Sequence, residues 1–448
     1  MQSLFFFIIA LAILIAIHEF GHFWVARRCG VKVLKFSIGF GKPIWQKTAN
    51  DGTQYILAAI PLGGYVKMLD EREGEVPAEQ LDQAFNRQSL GKRTAIVAAG
   101  PIANLLFAIA AYWLIFVLGI PGIKPIINDV VADSPAAFAQ LLSGDHIKKI
   151  NGELTPTWSS VNRSLMAIAE QGGEAALLVE TQGSERVRQL DIAQQSLLTD
   201  KPKNIITLLG LTPTLYDLNP VVGKTMPGQA AELGGLKTGD IILSANEQEV
   251  RTWDAWVKII KANPETELTV LIRRHNEVVT VLLTPNRSEQ GAGFIGAGVE
   301  ASATVIPEVL KSEQRYGAVL GIVKAVQMTW QMSSLTVKSF AAMLKGELST
   351  KNLGGPISIA QFAGASADKG VIPFISFLAI ISISLGILNL LPIPILDGGH
   401  LMLYFFEWVR GKPVSEALQL QGQKIGFILL LTLMFFALFN DLSRLFGL

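Results

Sequence analysis

Residues 4–26 read LFFFIIALAILIAIHEFGHFWVA. About 20 apolar residues are enough to cross a bilayer as a helix, so this run commits the chain to a membrane unless it is a cleaved leader. A leader has a basic segment ahead of the apolar run and a small-residue cleavage site behind it; neither is visible here. Yet His18, Glu19 and His22 stand inside the run. A charged side chain at membrane depth costs about 2.5–3.5 kcal/mol on insertion scales, so such residues are functional by default. The competing explanation is a polar cluster that holds helices together.

Three more apolar segments follow, at 94–118, 371–391 and 425–439. Half of the 448 residues are hydrophobic and 17% are charged, a membrane-type balance diluted by a polar middle section. A net charge of +1 leaves no electrostatic footprint for nucleic acid. The single cysteine, Cys29, excludes an intrachain disulfide and a Cys-type zinc site. No Lys or Arg precedes Arg27, whereas 27–93 holds eleven, so that loop is expected in the cytoplasm and the section from about 120 to 302 outside. Residues 315–345, interrupted by Lys324 and Lys338, read as an amphipathic helix lying against the membrane, with a fifth span as the alternative. With four spans, LPIPILDGGH (391–400) lies on the same side as Arg27; with five it lies opposite.

The polar section repeats itself. At an offset of 95, Gly144-Asp145 falls on Gly239-Asp240, Asn151 on Asn246 and Trp158 on Trp253. Each copy carries a small-residue helix, a Gly-Asp turn and an apolar strand, followed by alternating strands such as TELTVLIRR. This order resembles the PDZ domain as it occurs in bacteria, with LLGL (208–211) and FIGAG (294–298) as candidates for the pieces that close each groove. Such grooves bind an extended peptide as an added strand; the alternative is a pair of spacers or a steric gate.

His18-Glu19-Phe20-Gly21-His22 is an HExxH motif. Positions i and i+4 share a helix face, so both imidazoles can meet one Zn2+, with the glutamate between them placed to take a proton from water. A catalytic zinc takes three protein ligands. HExxH does not continue as HExxHxxGxxH, because Val25 and Arg28 occupy those positions, and His146 and His275 belong to the external modules. The third ligand is therefore sought in NLLPIPILDGGH (389–400), where Pro392 and Pro394 break the helix. Asp397 is the candidate and His400 its rival.

An HExxH in a first span with a distant LDG in a later one resembles the site-2 protease family of intramembrane zinc metalloproteases. HEFGH, GPIAN (100–104), the paired modules, GGPISIA (354–360) and NLLPIPILDGG (389–399) carry the resemblance over nearly the whole chain. It implies His18, His22 and Asp397 as ligands of one Zn2+ per chain and Glu19 as catalytic base. It implies Asn389 as a polar contact to substrate; read from the residues alone, Asn389 and Asn104 are equally interhelical hydrogen-bonding groups, the reading favoured for Asn104. The expected fold is a polytopic α-helical membrane protein with four transmembrane helices, a membrane-associated β-hairpin and two tandem periplasmic PDZ (β/α) domains. The expected divisions are a first helix at 1–27, the hairpin region at 28–93, a second helix at 94–120, PDZ domains at 121–216 and 217–302, a membrane-associated region at 303–369, a third helix with LDG at 370–410, and a fourth helix and tail at 411–448. The implied location is the bacterial inner membrane, with the site near its cytoplasmic side. The implied partners, besides the lipid bilayer, are single-span membrane proteins already trimmed by another protease, of the anti-sigma-factor type, and signal-peptide remnants. No oligomer is implied.

A hairpin is expected where VLKFSIGFGKPIW and QYILAAIPLGGYVKML flank Asp51-Gly52; its edge can take up a substrate strand, or it is an ordinary cytoplasmic hairpin. Two other classes compete with the protease. A zinc transporter needs polar groups along a continuous path, and spans two and four offer almost none. A PDZ scaffold with a dead core is at odds with the intact Glu19.

Overall fold

A computed structural model describes residues 2–194, 204–214, 218–288, 291–300, 306–349 and 354–446, without the side chains of Leu62 and Glu416. The expected boundaries at 216/217 and 302/303 lie outside the described residues. The chain divides into two units, one of Met1–Ile120 with Gln314–Leu448, the other of Pro121–Gln195 with Lys203–Glu313. Among the described residues four helices are long and apolar enough to cross a membrane: Gln2–Arg28, Leu90–Leu118, Val371–Leu390 and Ala417–Phe446.

In the first unit the N-terminal apolar run forms helix α1 (Gln2–Arg28). Arg27 and Arg28 occupy its last turn, where cations suit the helix dipole. Strands β1 (Val33–Thr48) and β2 (Gln54–Met68) follow and are antiparallel. They do more than form one hairpin. Thr48 pairs with Gln54 and Trp45 with Leu57, but Phe36 pairs with both Tyr55 and Val66, and Ile38 with both Leu57 and Gly64. The first half of β1 thus lies between the two halves of β2. Gly39 and Gly41, at φ 93° and 89°, supply the bend that an L side chain resists. Helix α2 (Leu90–Leu118) ends at Gly119, φ 95°, and carries Pro101 inside it.

The second unit begins with the last residues of β3 (Ile120–Ile123), followed by β4 (Ile127–Val130), α3 (Pro135–Phe138), β5 (His146–Ile150), β6 (Glu153–Leu154), α4 (Trp158–Ala169), β7 (Gly173–Thr181), β8 (Ser184–Ile192), α5 (Ile205–Leu208) and β9 (Leu211–Pro213). A similar order then recurs, with a strand pair β15-β16 where the first copy has α5: β10 (Val222–Thr225), α6 (Ala230–Leu233), β11 (Ile241–Ala245), β12 (Gln248–Glu249), α7 (Trp253–Ala262), β13 (Leu268–Arg274), β14 (Glu277–Leu283), β15 (Asn286–Arg287), β16 (Gly293–Phe294) and β17 (Ala297–Val299). Each copy has a four-stranded sheet, β6-β5-β7-β8 and β12-β11-β13-β14, and a separate antiparallel pair, β4 with β9 and β10 with β17.

The duplication extends to individual bonds. Thr157 and Thr252 cap α4 and α7, accepting from the backbone N–H of Ser160 and Ala255. Asn151 and Asn246 turn the chain at φ 50° and 47°, and their side-chain oxygens accept from Ala176 N (2.8 Å) and Thr269 N (2.9 Å). Each copy has its own apolar core, around Ile147, Leu165 and Leu177 in the first and Ile242, Trp256 and Val270 in the second.

After β18 (Lys311–Gln314) the first unit resumes with α8 (Ala318–Leu344), α9 (Pro356–Asp368), α10 (Val371–Leu390), α11 (Asp397–Arg410) and α12 (Glu416–Phe446). Helix α8 is not among the four candidate spans; it packs against α2, where Trp113 Nε1 donates to Ala318 O (2.9 Å). Asp441 of α12 caps the start of α9, accepting from Gly355 N (3.0 Å), Ile357 N (2.8 Å) and Ser358 N (3.1 Å). The fourth candidate span is longer than the apolar stretch 425–439, because good helix formers such as Leu418, Gln419, Gln421 and Lys424 extend it towards its start.

Candidate metal centre

The site is assembled where α1 and α2 touch. Gly21, one of the two unspecified positions of HExxH, makes this possible, since a Cβ there would collide with Ala99 O of α2. Opposite lies Gly100 of α2, where a Cβ would run into His22 Nε2 and lie 2.8 Å from His18 Cε1. Gly21 thus lets the two helices approach, and Gly100 leaves the room in which both imidazoles stand. His22 Nδ1 donates to Ile96 O (2.8 Å), and His18 Nδ1 faces the side-chain amide of Asn104 (3.3 Å). Ile96, Gly100 and Asn104 are spaced by four and so share one face of α2.

The third group comes from the break between α10 and α11. Pro392 and Pro394 cannot donate into a helix, and α10 stops at Leu390. Two residues before Asp397 the backbone of Ile395 is at φ 104°, a region strained for a β-branched residue. Gly398 and Gly399 let α11 start tightly against this segment: a Cβ at Gly399 would lie 2.5 Å from Ile393 O, and one at Gly398 would overlap Leu391 O. Asp397, first residue of α11, is thereby aimed at α1. Its Oδ2 lies 3.2 Å from His18 Nε2 and 3.5 Å from His22 Nε2, and the two Nε2 atoms are 3.2 Å apart.

Among the described residues this is the one cluster of three or more His, Cys, Asp or Glu side chains able to hold a metal ion. The donor set fits zinc. Ligand atoms about 2.0–2.1 Å from a tetrahedral zinc are separated from each other by about 3.3 Å, and the three separations here bracket that value. His400 is not part of the cluster; it lines a separate cavity of about 380 Å³ between α11 and α12, with Leu403, Phe406 and Leu418.

Glu19 is buried beside the cluster and against β2: a Cβ on Gly64 would lie 2.8 Å from Glu19 Cγ and 2.7 Å from Ser37 O. Glu19, His18, His22, Asp397, Asn104 and Asn389 all line one cavity of about 700 Å³, whose apolar walls include Leu11, Phe40, Ile359 and Leu430. The sequence reading of Asn104 as an interhelical hydrogen-bonding group named the type of contact but not its partner, a candidate ligand. Gly21 and Gly100 lie within the HEFGH and GPIAN stretches, but their packing roles are not legible there, nor is Ile96; the spacing of 96, 100 and 104 on an apolar helix is the available signal.

The sequence matches Peptidase family M50 over residues 6–433. It is 44% identical, over 98% of both chains, to the regulator of sigma-E protease RseP of Escherichia coli and to the protease RseP of Yersinia pestis. A Vibrio cholerae protein that carries the name of a zinc metalloprotease is equally similar, at 44% with the same coverage. Four membrane-type helices, β-rich domains and these relatives define a polytopic membrane protein that is a zinc metalloprotease. The chain belongs to peptidase family M50, the site-2 protease family.

Proposed function

We propose that this chain is an intramembrane zinc endopeptidase that cuts a peptide bond within or near the transmembrane segment of single-span membrane proteins. The observation that carries the proposal is the convergence of His18 Nε2, His22 Nε2 and Asp397 Oδ2, from helices at opposite ends of the sequence, on one point beside Glu19. His18, His22 and Asp397 hold one Zn2+. Bound there, the ion supplies Lewis acidity, which polarises a carbonyl and makes water a nucleophile near neutral pH.

The chain's own groups do the rest. Glu19 takes a proton from the attacking water and returns it to the leaving amide nitrogen. A peptide bond in a helix has its N–H and C=O occupied, so it must be drawn out before it can be cut. The second half of β2 is suited to this. Residues 64–68 pair with β1 along one side only among the described pairings, and Gly64 carries that edge past Glu19. A substrate segment added there as a strand would run beside the cluster. Asn389, lining the same cavity, donates from its amide to the substrate backbone.

The repeated modules, 121–216 and 217–302, act as periplasmic PDZ domains of an inner-membrane enzyme whose site lies near the cytoplasmic face. The named role of the E. coli relative in sigma-E regulation supports an anti-sigma-factor type of substrate, trimmed first by another protease; remnant signal peptides are a second class.

The test is zinc content together with cleavage of a single-span substrate, for wild type and Glu19→Gln. Equal zinc in both with cleavage only by wild type is expected. Cleavage by the variant at the wild-type rate would overturn the role of Glu19, and wild type free of zinc would overturn the site. Deleting 121–302 addresses the modules: cleavage of untrimmed substrate identifies a size filter, and slower cleavage of trimmed substrate identifies a receptor.

A further inference from the structure

Asn104 is completely buried on α2. In the placed orientation its Nδ2 faces His18 Nδ1 at 3.3 Å, and its Oδ1 is a buried atom without a hydrogen-bond partner. A neutral imidazole carries one proton, on either ring nitrogen. If the proton is on Nε2, it points at Asp397 Oδ2 and His22 Nε2, both 3.2 Å away, and no lone pair is left there for a cation. If it is on Nδ1, then Nε2 is free to ligate, but a donor now faces the amide nitrogen, which is also a donor. Oxygen and nitrogen of an amide exchange places by a half-turn of the group. That half-turn brings the partnerless Oδ1 to Nδ1–H.

We infer that Asn104 is a positioning residue for His18: its amide oxygen accepts the Nδ1 proton and holds the imidazole in the tautomer that presents the Nε2 lone pair to the metal. The inference rests on the zinc site proposed above. His22 has its own acceptor, Ile96 O. The two histidines therefore take their tautomers from two residues of α2 that flank the glycine making room for them. The chain holds Asn104 firmly for this purpose. Its backbone oxygen accepts from Ser382 Oγ of α10 (2.8 Å), and Gly386 keeps α10 close, since a Cβ there would lie 3.1 Å from Pro101 O. Helix α10 runs on into the segment bearing Asp397, so the helix supplying the third group also steadies the partner of the first.

The experiment is zinc affinity of the full-length protein in detergent, by competition with a chromophoric chelator, with the visible spectrum of the cobalt-substituted protein as a second readout. Asn104→Asp keeps an acceptor and loses the donor; Asn104→Leu has neither. Loss of such a partner lowers metal affinity by about 10- to 100-fold, so the leucine variant should fall by that much and show an altered cobalt spectrum. The aspartate variant should stay within about threefold of wild type or bind more tightly. A group with a purely structural role predicts the opposite for aspartate, because a buried charge disrupts packing more than leucine does. Leucine binding like wild type, or aspartate falling as far as leucine, overturns the inference. Should the leucine variant fail to fold, Asn104→Ala makes the same comparison with aspartate. Wild type without zinc affinity would instead overturn the underlying site.

Discussion

Arg93 and Glu407 tie the start of α2 to the end of α11. Arg93 Nη2 donates to Glu407 Oε1 (2.6 Å) and Nη1 to Oε2 (3.3 Å), and the guanidinium lies 5.0 Å from the centre of the Tyr404 ring. A cation in the first turn of one helix and an anion in the last turn of another both oppose the helix dipoles. Their use here is to fix one helix against the other. Helix α11 begins with Asp397, so its placement sets the third candidate ligand. Arg93→Gln and Glu407→Gln should each weaken zinc binding and lower the melting temperature. The double variant should be less impaired than the sum, with a coupling of about 1–3 kcal/mol in a double-mutant cycle. Strict additivity would remove the pair from the account of the site.

Gly100→Ala puts a methyl group where His22 Nε2 and His18 Cε1 now stand. Overpacking of this kind costs about 1–3 kcal/mol, and here the cost falls on the imidazoles. Zinc content should drop sharply. Gly91→Ala in the same helix meets nothing within 4 Å and should bind zinc as wild type does; metal analysis of the two purified variants makes the comparison.

Gly64→Val tests the strand beside Glu19. Its side chain would press on Glu19 Cγ, Ile15 and Ser37 O without touching a candidate ligand. Zinc content should be retained while kcat/KM falls by about 10²-fold, the scale of a misplacement near 1 Å. Parallel loss of zinc and activity would mean that the strand supports the metal site and does not serve substrate alignment.

Asn389→Leu removes the amide proposed to meet the substrate. Zinc affinity should be unchanged and cleavage slowed by about 10²-fold, the scale for losing one donor to the reacting carbonyl. Full activity in a single-turnover assay would assign Asn389 to helix packing.

The two ends of the site were unequally legible in the sequence. HExxH declares itself because two imidazoles and a carboxylate in an apolar run have no cheaper explanation. Asp397 needed the helix-breaking prolines and a count of spans, and the segment 315–345 left that count open. Gly21 and Gly100 were invisible, because what matters is the atom each lacks opposite a neighbour hundreds of bonds or one helix away, and spacing along one helix does not name that neighbour. The repeat was legible down to Asn151 and Asn246, since a positive φ restricts residue choice. The second pairing of β1 was not. Alternation marks a strand but does not say that one strand will pair twice, and it is Gly39 and Gly41 in combination that allow it.

The proposed site draws its first two ligands from the helix made earliest and its third from a segment near the other end of the chain. A growing chain that has not yet reached Asp397 holds only two of the three. Until α10 has entered the bilayer and the proline-broken segment has folded back, HExxH is a pair of histidines without a counter-ligand. Completion of the proposed metal centre thus waits on the folding of the segment that carries Asp397.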